Sequence, residues 1–294
     1  MSAELLVAGS IALDTLDGPF GRVEDELGGS ALYFALAASL IMPVRMIAPT
    51  GRESLARVLK TIHSRPIDVE LLDVLDAPTY RWRALQDRSR NIDLGSKDSI
   101  YDLWEPRAPA GFDGWAFVGS MRPDRQAQLT KLLGGASMLA ADAMLSYLHS
   151  HTPHAREVLR QARWYFSNRE ELAALGDEQP EEFRRRWALE GLVLKSGPSG
   201  VTAYTDAGEF HVPALTDLPV VDTTGAGDAV AAGMLAHWLA AGGRPDQLLE
   251  SLVWGIACAS ITISDIGLRA IATATREQLE ERVEEVKRSL PHAS

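Results

Sequence analysis

The sequence predicts an α/β protein built on a central, mostly parallel sheet, with a small β-sheet lid standing off it. Three observations carry this. Short apolar runs alternate with helical patterns from residue 5 to about residue 63, the rhythm of a parallel sheet whose strands are joined by helical crossovers. Between about 71 and 110 the rhythm breaks, and "TYRWRA" alternates in the manner of an exposed strand. After Trp115 the strand and helix patterns resume.

Taken in order, "LLVAGSIAL" (5–13) reads as a buried strand ending beside Asp14. The polar, turn-rich "DTLDGPFGRVEDELGG" that follows is too irregular for a core helix. "SALYFALAASL" (30–40) is apolar nearly all round, so it should form a well-buried helix. "VRMIAPTG" (44–51) is a second buried strand, stopped by Pro49 and Gly51, and a helix from about Ser54 to His63 completes the unit. In the irregular region Tyr80, Trp82 and Ala84 share one strand face while Arg81 and Arg83 share the other. Residues 15–27 and 71–110 are therefore assigned to a lid made of two separate excursions, and residues 1–14, 28–70 and 111–294 to the core. The alternative is a pair of long surface loops.

Beyond Trp115, "WAFVGS", "SMLAAD", "RWYFSN" and "EGLVLKSG" read as further strands, and "PDRQAQLTKLLGG" as a helix closed by glycine. "GVTAYTDAGEFHV" has the turn chemistry of a hairpin. Residues 226–263 hold two apolar helical patterns split by "AGGRPD". Leu279, Val283, Val286 and Leu290 give the tail an amphipathic helix.

The bulk numbers narrow the function. The 294 residues allow one large domain or two unequal ones, and 46% apolar content supports a sizeable core. A formal net charge of −11 argues against nucleic acid as a partner. Cys258 is the sole cysteine, which excludes an intrachain disulfide and a multi-cysteine metal site, and its apolar surroundings point to an inert buried thiol. Neither a secretory leader nor an apolar run long enough to span a membrane is seen, so a cytoplasmic location is expected.

The chemistry concentrates in "VVDTTGAGDAV" (220–230). A helix start presents unpaired N–H groups and a partial positive pole. Gly225 and Gly227 let the backbone come close to a bound group, and Ala226 adds little bulk. Together they make an anion cradle suited to a phosphoryl group in transfer. Asp228 adds a carboxylate beside that cradle. Such a charge disfavours simple phosphate binding but suits a base that takes a proton from an attacking hydroxyl. The helix pole is expected to keep it ionised at neutral pH. The competing reading is an Asp that only satisfies the helix dipole. A P-loop is excluded, because no Gly-Lys-Ser/Thr follows the glycines, and a dinucleotide fingerprint fails at Val230.

"DTTGAGD" followed by a small-residue helix closely resembles the second signature of the ribokinase-like (PfkB) carbohydrate kinases. The resemblance spans roughly residues 5–270. It implies a three-layer α/β/α sandwich with a β lid, and an ATP-dependent kinase that transfers the γ-phosphoryl group to a hydroxyl of a sugar, nucleoside or polyol. By it, Asp228 is the base and the 225–227 backbone the anion hole. "GSIALD" resembles the family's first strand, with Asp14 on the substrate, and Gly28 and Gly29 match its diglycine. "NREE" places Asn168 and Glu171 near magnesium and the phosphates. "LKSGPSG" places Lys195, Ser196 and Gly197 on the nucleotide. Asp222 and Thr224 match positions that in many members hold a monovalent cation such as K+, and the turn near Asp265 and Gly267 could supply carbonyls to the same ion. Where such kinases often carry an asparagine after the diglycine, this chain offers Phe34, which leaves the acceptor unnamed. Trp82 and Arg83 are further candidates for acceptor contact from the lid, and an exposed lid edge allows a homodimer. The alternative function is a non-catalytic nucleotide or sugar sensor on the same fold.

Other features weigh less. "HSHTPH" (His149, His151, His154) lacks the acidic neighbour and rigid spacing of a zinc site and reads as a solvated loop. His237 lies in an apolar helix and reads as a packed residue. Lys195, taken by itself, could equally contact phosphate or end a strand. No G-x-S-x-G nucleophile motif occurs.

Overall fold

The computed structural model describes residues 4–87, 90–176 and 179–290. Its strands are β1 (Leu5–Ala8), β2 (Ala12–Gly18), β3 (Gly21–Gly28), β4 (Val44–Gly51), β5 (Ile67–Leu75), β6 (Tyr80–Asp87) and β7 (Arg90–Lys97). They continue with β8 (Trp115–Val118), β9 (Met138–Ala141), β10 (Trp164–Asn168), β11 (Gly191–Lys195), β12 (Val201–Thr205) and β13 (Gly208–Val212). The helices are α1 (Ser30–Ala38), α2 (Arg52–Ile62), α3 (Ile100–Leu103), α4 (Pro123–Leu132), α5 (Leu145–Ser150) and α6 (Thr152–Gln161). After them come α7 (Arg169–Leu175), α8 (Pro180–Arg186), α9 (Ala226–Ala240), α10 (Leu248–Thr262), α11 (Arg269–Thr273) and α12 (Arg276–Ser289).

Two sheets form. The larger runs β13-β12-β11-β10-β9-β8-β1-β4-β5 and is parallel except for the β11-β12-β13 meander. Alternation along each strand sends side chains to two helical layers. Leu5, Val7, Met46, Phe117, Phe166 and Val193 join the core beneath α1, α9 and α10, whereas Leu6, Ala8, Ile47, Val118, Tyr165 and Leu194 join the core that includes Leu129, Val158, Leu172 and Phe183. The result is a three-layer α/β/α sandwich.

The smaller sheet runs β3-β2-β6-β7, with β2 and β6 parallel and both outer pairs antiparallel. Its strands come from residues 12–28 and 80–97. Three boundaries differ from the sequence reading; one is that the lid ends at Lys97, since Ile100, Tyr101 and Trp104 are buried in the core of the large sheet. Ile67–Leu75 pairs with β4 as the edge of the large sheet, so residues 71–75 belong there. The "LLVAGSIAL" run is two strands in two sheets, so Asp14 stands on β2 and not at the end of the first strand. The reason is local. Gly9 sits so close to Ser30 and Ala31 that a Cβ would collide with them. Ser10 and Ser30 then exchange backbone-to-hydroxyl hydrogen bonds of 3.0 and 3.1 Å, which hold the chain where it leaves one sheet for the other. Gly9 and Ser10 are the only mark of that turn in an otherwise apolar run.

The larger sheet also sets the position of the cleft. From β1 the chain proceeds to β4 on one side and returns to β8 on the other. Ligand crevices open beyond the carboxyl ends of strands at such a reversal. Among the described residues, no helix is long and apolar enough to cross a membrane.

Candidate active site

Three parallel strands deliver charged residues to the same rim. Asp142 follows β9, Glu171 lies in the first turn of the helix after β10, and Lys195 ends β11. Asn168 makes a capping box with Glu171: its Oδ1 accepts from the Glu171 N–H at 2.8 Å, and its own N–H donates to Glu171 Oε2 at 2.9 Å. That exchange fixes the Glu171 carboxylate at the rim. Lys195 Nζ lies 4.0 Å from Asp142 Oδ2. It also sits 3.0 Å from where a Cβ on Gly227 would stand, so a side chain there would press the ammonium back from the start of α9.

Asp228 projects from the first turn of that helix into the same cleft, and its Oδ1 is buried without a hydrogen-bond partner. Gly225, the residue before α9, is left-handed at φ +75° and packs against the ring of Tyr33, leaving no room for a Cβ. Burial raises the Asp228 carboxyl to about 6; Lys195 opposes the rise and Glu171 adds to it. A carboxyl at about 6 is still mostly ionised at neutral pH, as expected of a base, but burial rather than the helix pole is the largest influence on it. Burial likewise raises Asp142 and Glu171, against the pull of Lys195. Lys195 loses by its own burial, yet Glu171, Asp142 and Asp228 together carry it above the ordinary lysine value.

The cleft extends from this cluster beneath the smaller sheet as a cavity of about 200 Å³. Asp14, Tyr33, Tyr80, Trp82, Asn91 and Tyr147 line that end. Asp14 Oδ1 and the Tyr33 hydroxyl are buried without partners. Burial pushes both groups up, reinforced by Asp222.

The structure brings together Asp14, Gly29, Trp82, Glu171, Lys195, Thr224, Gly225, Gly227 and Asp228 around one cleft. Other sequence candidates stand elsewhere. Arg83 is exposed on the opposite face of β6, because strand alternation puts it out of phase with Trp82. Gly28 does not line the cleft; a Cβ there would collide with the Asp14 carboxylate, so it clears space for that group. The Ala226 N–H is turned toward Thr223 O at 3.3 Å, which leaves the glycines as the open part of the cradle. Ser196 and Gly197 form a tight turn outside the cleft lining, closed by the Ser196 N–H donating to Gly200 O at 2.8 Å. Asp222 is spent on the backbone: Oδ1 accepts from the Thr224 N–H (2.9 Å) and hydroxyl (2.7 Å), and Oδ2 accepts from the Gly267 N–H (2.9 Å).

Phe34, which stands where such kinases often carry an asparagine, makes no contact with the cleft. It is fully buried and stacks on Phe117, ring centroids 4.7 Å apart. Its neighbour Tyr33 faces the cleft instead, a rotation of about 100° per helical residue separating the two. His149 and His154 are exposed, and no group of three His, Cys, Asp or Glu side chains converges as a metal site among the described residues. His237 stacks on Trp254 and pairs with Ser251, and burial pushes the Cys258 thiol up to about 12.

Sequence reasoning missed Asp142, Tyr33, Asn91 and Tyr147. Only Asp142 left a signal, as an acidic residue directly after an apolar strand in the parallel series.

Fold and site together define a phosphotransferase with an alcohol as acceptor. The chain belongs to the PfkB family: the pattern of the pfkB family carbohydrate kinases matches residues 112–275. It is 35% identical over 265 residues to the ATP-dependent ribose-1-phosphate kinase of Halopiger xanaduensis, covering 84% of this chain and 83% of that one. It is 27% identical to the cytidine kinase of Thermococcus kodakarensis, covering 82% and 90%. The fold matches that of Burkholderia thailandensis nucleoside kinase in complex with ADP-inosine at a TM-score of 0.81, with 20% identity and coverage of 99% and 98%.

Proposed function

We propose that this kinase transfers the γ-phosphoryl group of ATP to a hydroxyl of a ribosyl-bearing acceptor, a nucleoside foremost. The observation that carries the reading is the buried, unpartnered Asp228 oxygen at the glycine-lined start of α9, open to the same cleft as an aromatic acceptor end. Asp228 takes the proton as the acceptor oxygen attacks the γ-phosphorus; the bond to the bridging oxygen breaks and ADP leaves. The N–H groups of the α9 start receive the charge that develops on the phosphoryl oxygens. Lys195 lies next to Gly227, where it can meet the same phosphoryl group and hold Asp228 ionised. Trp82 and Tyr80 offer flat faces to a base, while Asp14 and Tyr33 offer hydrogen bonds to ribose hydroxyls. The smaller sheet acts as the lid that excludes water.

Magnesium fits the donor set. Glu171 and Asp142 are carboxylates at the phosphate end, and Asp142 Oδ1 is buried without a partner, as suits an ion held largely by nucleotide phosphates and water. It would neutralise charge between the β- and γ-phosphates. A potassium ion near 222–224 would rest on main-chain carbonyls, because the Asp222 carboxylate is already engaged. Pairing of two chains through the outer lid face is part of the proposal, supported by exposed Leu85, Ile92 and Leu94.

The test is a panel of nucleosides, ribose 1-phosphate and free sugars with ATP and magnesium, followed by ADP release. Acceptor-dependent ADP from a nucleoside, lost in Asp228→Asn, is the expected result. Turnover by that variant at the wild-type rate would overturn the assignment of the base.

A further inference from the structure

The β6-β7 hairpin of the smaller sheet places two carboxamides side by side, since Gln86 and Asn91 are directly paired across the ladder. Both reach the segment that leads into the cradle. Gln86 Nε2 donates to Val221 O at 3.1 Å, and Asn91 Nδ2 donates to the Thr224 hydroxyl at 3.0 Å. Val221 and Thr224 bracket Asp222, whose carboxylate ties the segment to the 264–267 turn, and Gly225 follows at once. Gln86 is buried, and Asn91 also lines the acceptor cavity.

We propose that Gln86 and Asn91 are positioning residues, a paired-amide latch through which the closed lid seats residues 221–225 and so aims the N–H groups at the start of α9. The proposal rests on the kinase reading of that helix start. The Thr224 hydroxyl has one proton, given to Asp222, and its lone pair takes the Asn91 N–H. Thr224 is therefore held from both sides only while β7 lies over it. Elsewhere the lid is held to the core by Glu26 with Arg269 and by Arg57 donating to the Asp25 carbonyl. Those contacts close the lid but do not touch the cradle. The amide pair does, and it lies where an acceptor would press on Asn91. Acceptor seating and cradle geometry thereby become one event, which restrains ATP from reacting with water before the acceptor arrives.

The test uses Asn91→Ala and Gln86→Met in the full chain, with hydrogen exchange followed over residues 221–228 and over α10 as an internal reference. Exchange in 221–228 is expected to quicken by about tenfold in each variant, the size of one lost hydrogen bond, with α10 unchanged. With a nucleoside acceptor, kcat is expected to fall by about tenfold while KM for ATP holds. In a Thr224→Val background, Asn91→Ala is expected to cost little more. Unchanged exchange over 221–228 overturns the latch. So do fully additive losses in the double variant, which would make Asn91 an acceptor contact alone. Should the wild-type chain phosphorylate no acceptor, the kinase reading falls, and the exchange data still judge the latch.

Discussion

Lys195 Nζ stands 4.0 Å from Asp142 Oδ2 and is the cation that opposes the rise of the Asp228 carboxyl. One buried ammonium thus serves three buried carboxylates, Asp142, Glu171 and Asp228. Replacing it with methionine leaves those charges uncompensated. In Lys195→Met the acid limb of the pH–rate profile is expected to move to higher pH, and kcat at pH 7 to fall at least about a hundredfold. Initial rates across pH 5 to 9 check this.

The wild-type profile follows from the same carboxyl. A base must be deprotonated to act, so kcat/KM is expected to rise with pH through about 6 and level off above it. A profile flat from pH 5 to 8 in a step limited by chemistry would exclude Asp228 as the base.

Stability should run the other way. The Asp228 carboxyl is raised from 3.8 to about 6, so between those pH values the folded chain binds the proton that the unfolded chain has released. This site therefore loses stability as pH climbs through that window, and the loss persists above it. Asp228→Asn removes the buried charge. At pH 7.5 it is expected to be more stable than the wild type by an amount on the order of 3 kcal/mol, while phosphoryl transfer drops by orders of magnitude. Calorimetry and ADP release together test the pair of outcomes.

Gly225→Ala is expected to damage both fold and activity. The left-handed backbone costs an alanine about 1 kcal/mol, and its Cβ would run into the Tyr33 ring. Relief requires moving α9 away from α1, which takes Asp228 with it. A lower melting temperature and at least about a tenfold loss in kcat are expected.

Trp82→Ala should act on the acceptor end alone. Loss of a flat face worth roughly 1 to 2 kcal/mol raises acceptor KM about tenfold. KM for ATP is expected to stay put, which separates the two ends of the cleft by steady-state kinetics.

Much of this was legible in the sequence, for definite reasons. Parallel strands buried on both faces leave unbroken apolar runs, so β4, β8, β10 and β11 could be read directly. "GAGD" by itself left two readings open, and its resemblance within "DTTGAGD" to the kinase signature decided between them. The alternation that groups Tyr80, Trp82 and Ala84 already set Arg83 on the opposite face, so Trp82 and Arg83 could not both meet one acceptor; which face turned to the cleft was left to the fold. What stayed hidden depends on tertiary placement. Nothing local separates Tyr33 from Phe34, both aromatic on an apolar helix, until packing of α1 on α9 decides which one faces the cleft. Asn91 sits in a polar hairpin like any surface residue, and only the fold brings it to Thr224. The chain's departure from the large sheet after Ala8 is marked only by Gly9 and Ser10, a pair too short to separate two strands until their contacts with Ser30 and Ala31 are known.

The cover over the cleft is woven from two stretches of chain, 12–28 and 80–97, whose inner strands β2 and β6 lie side by side in parallel. Neither stretch forms that sheet alone. A new acceptor preference grafted from another enzyme would have to import both pieces in matched register, through two separate splices. Exchange of either piece by itself would leave a strand facing a stranger.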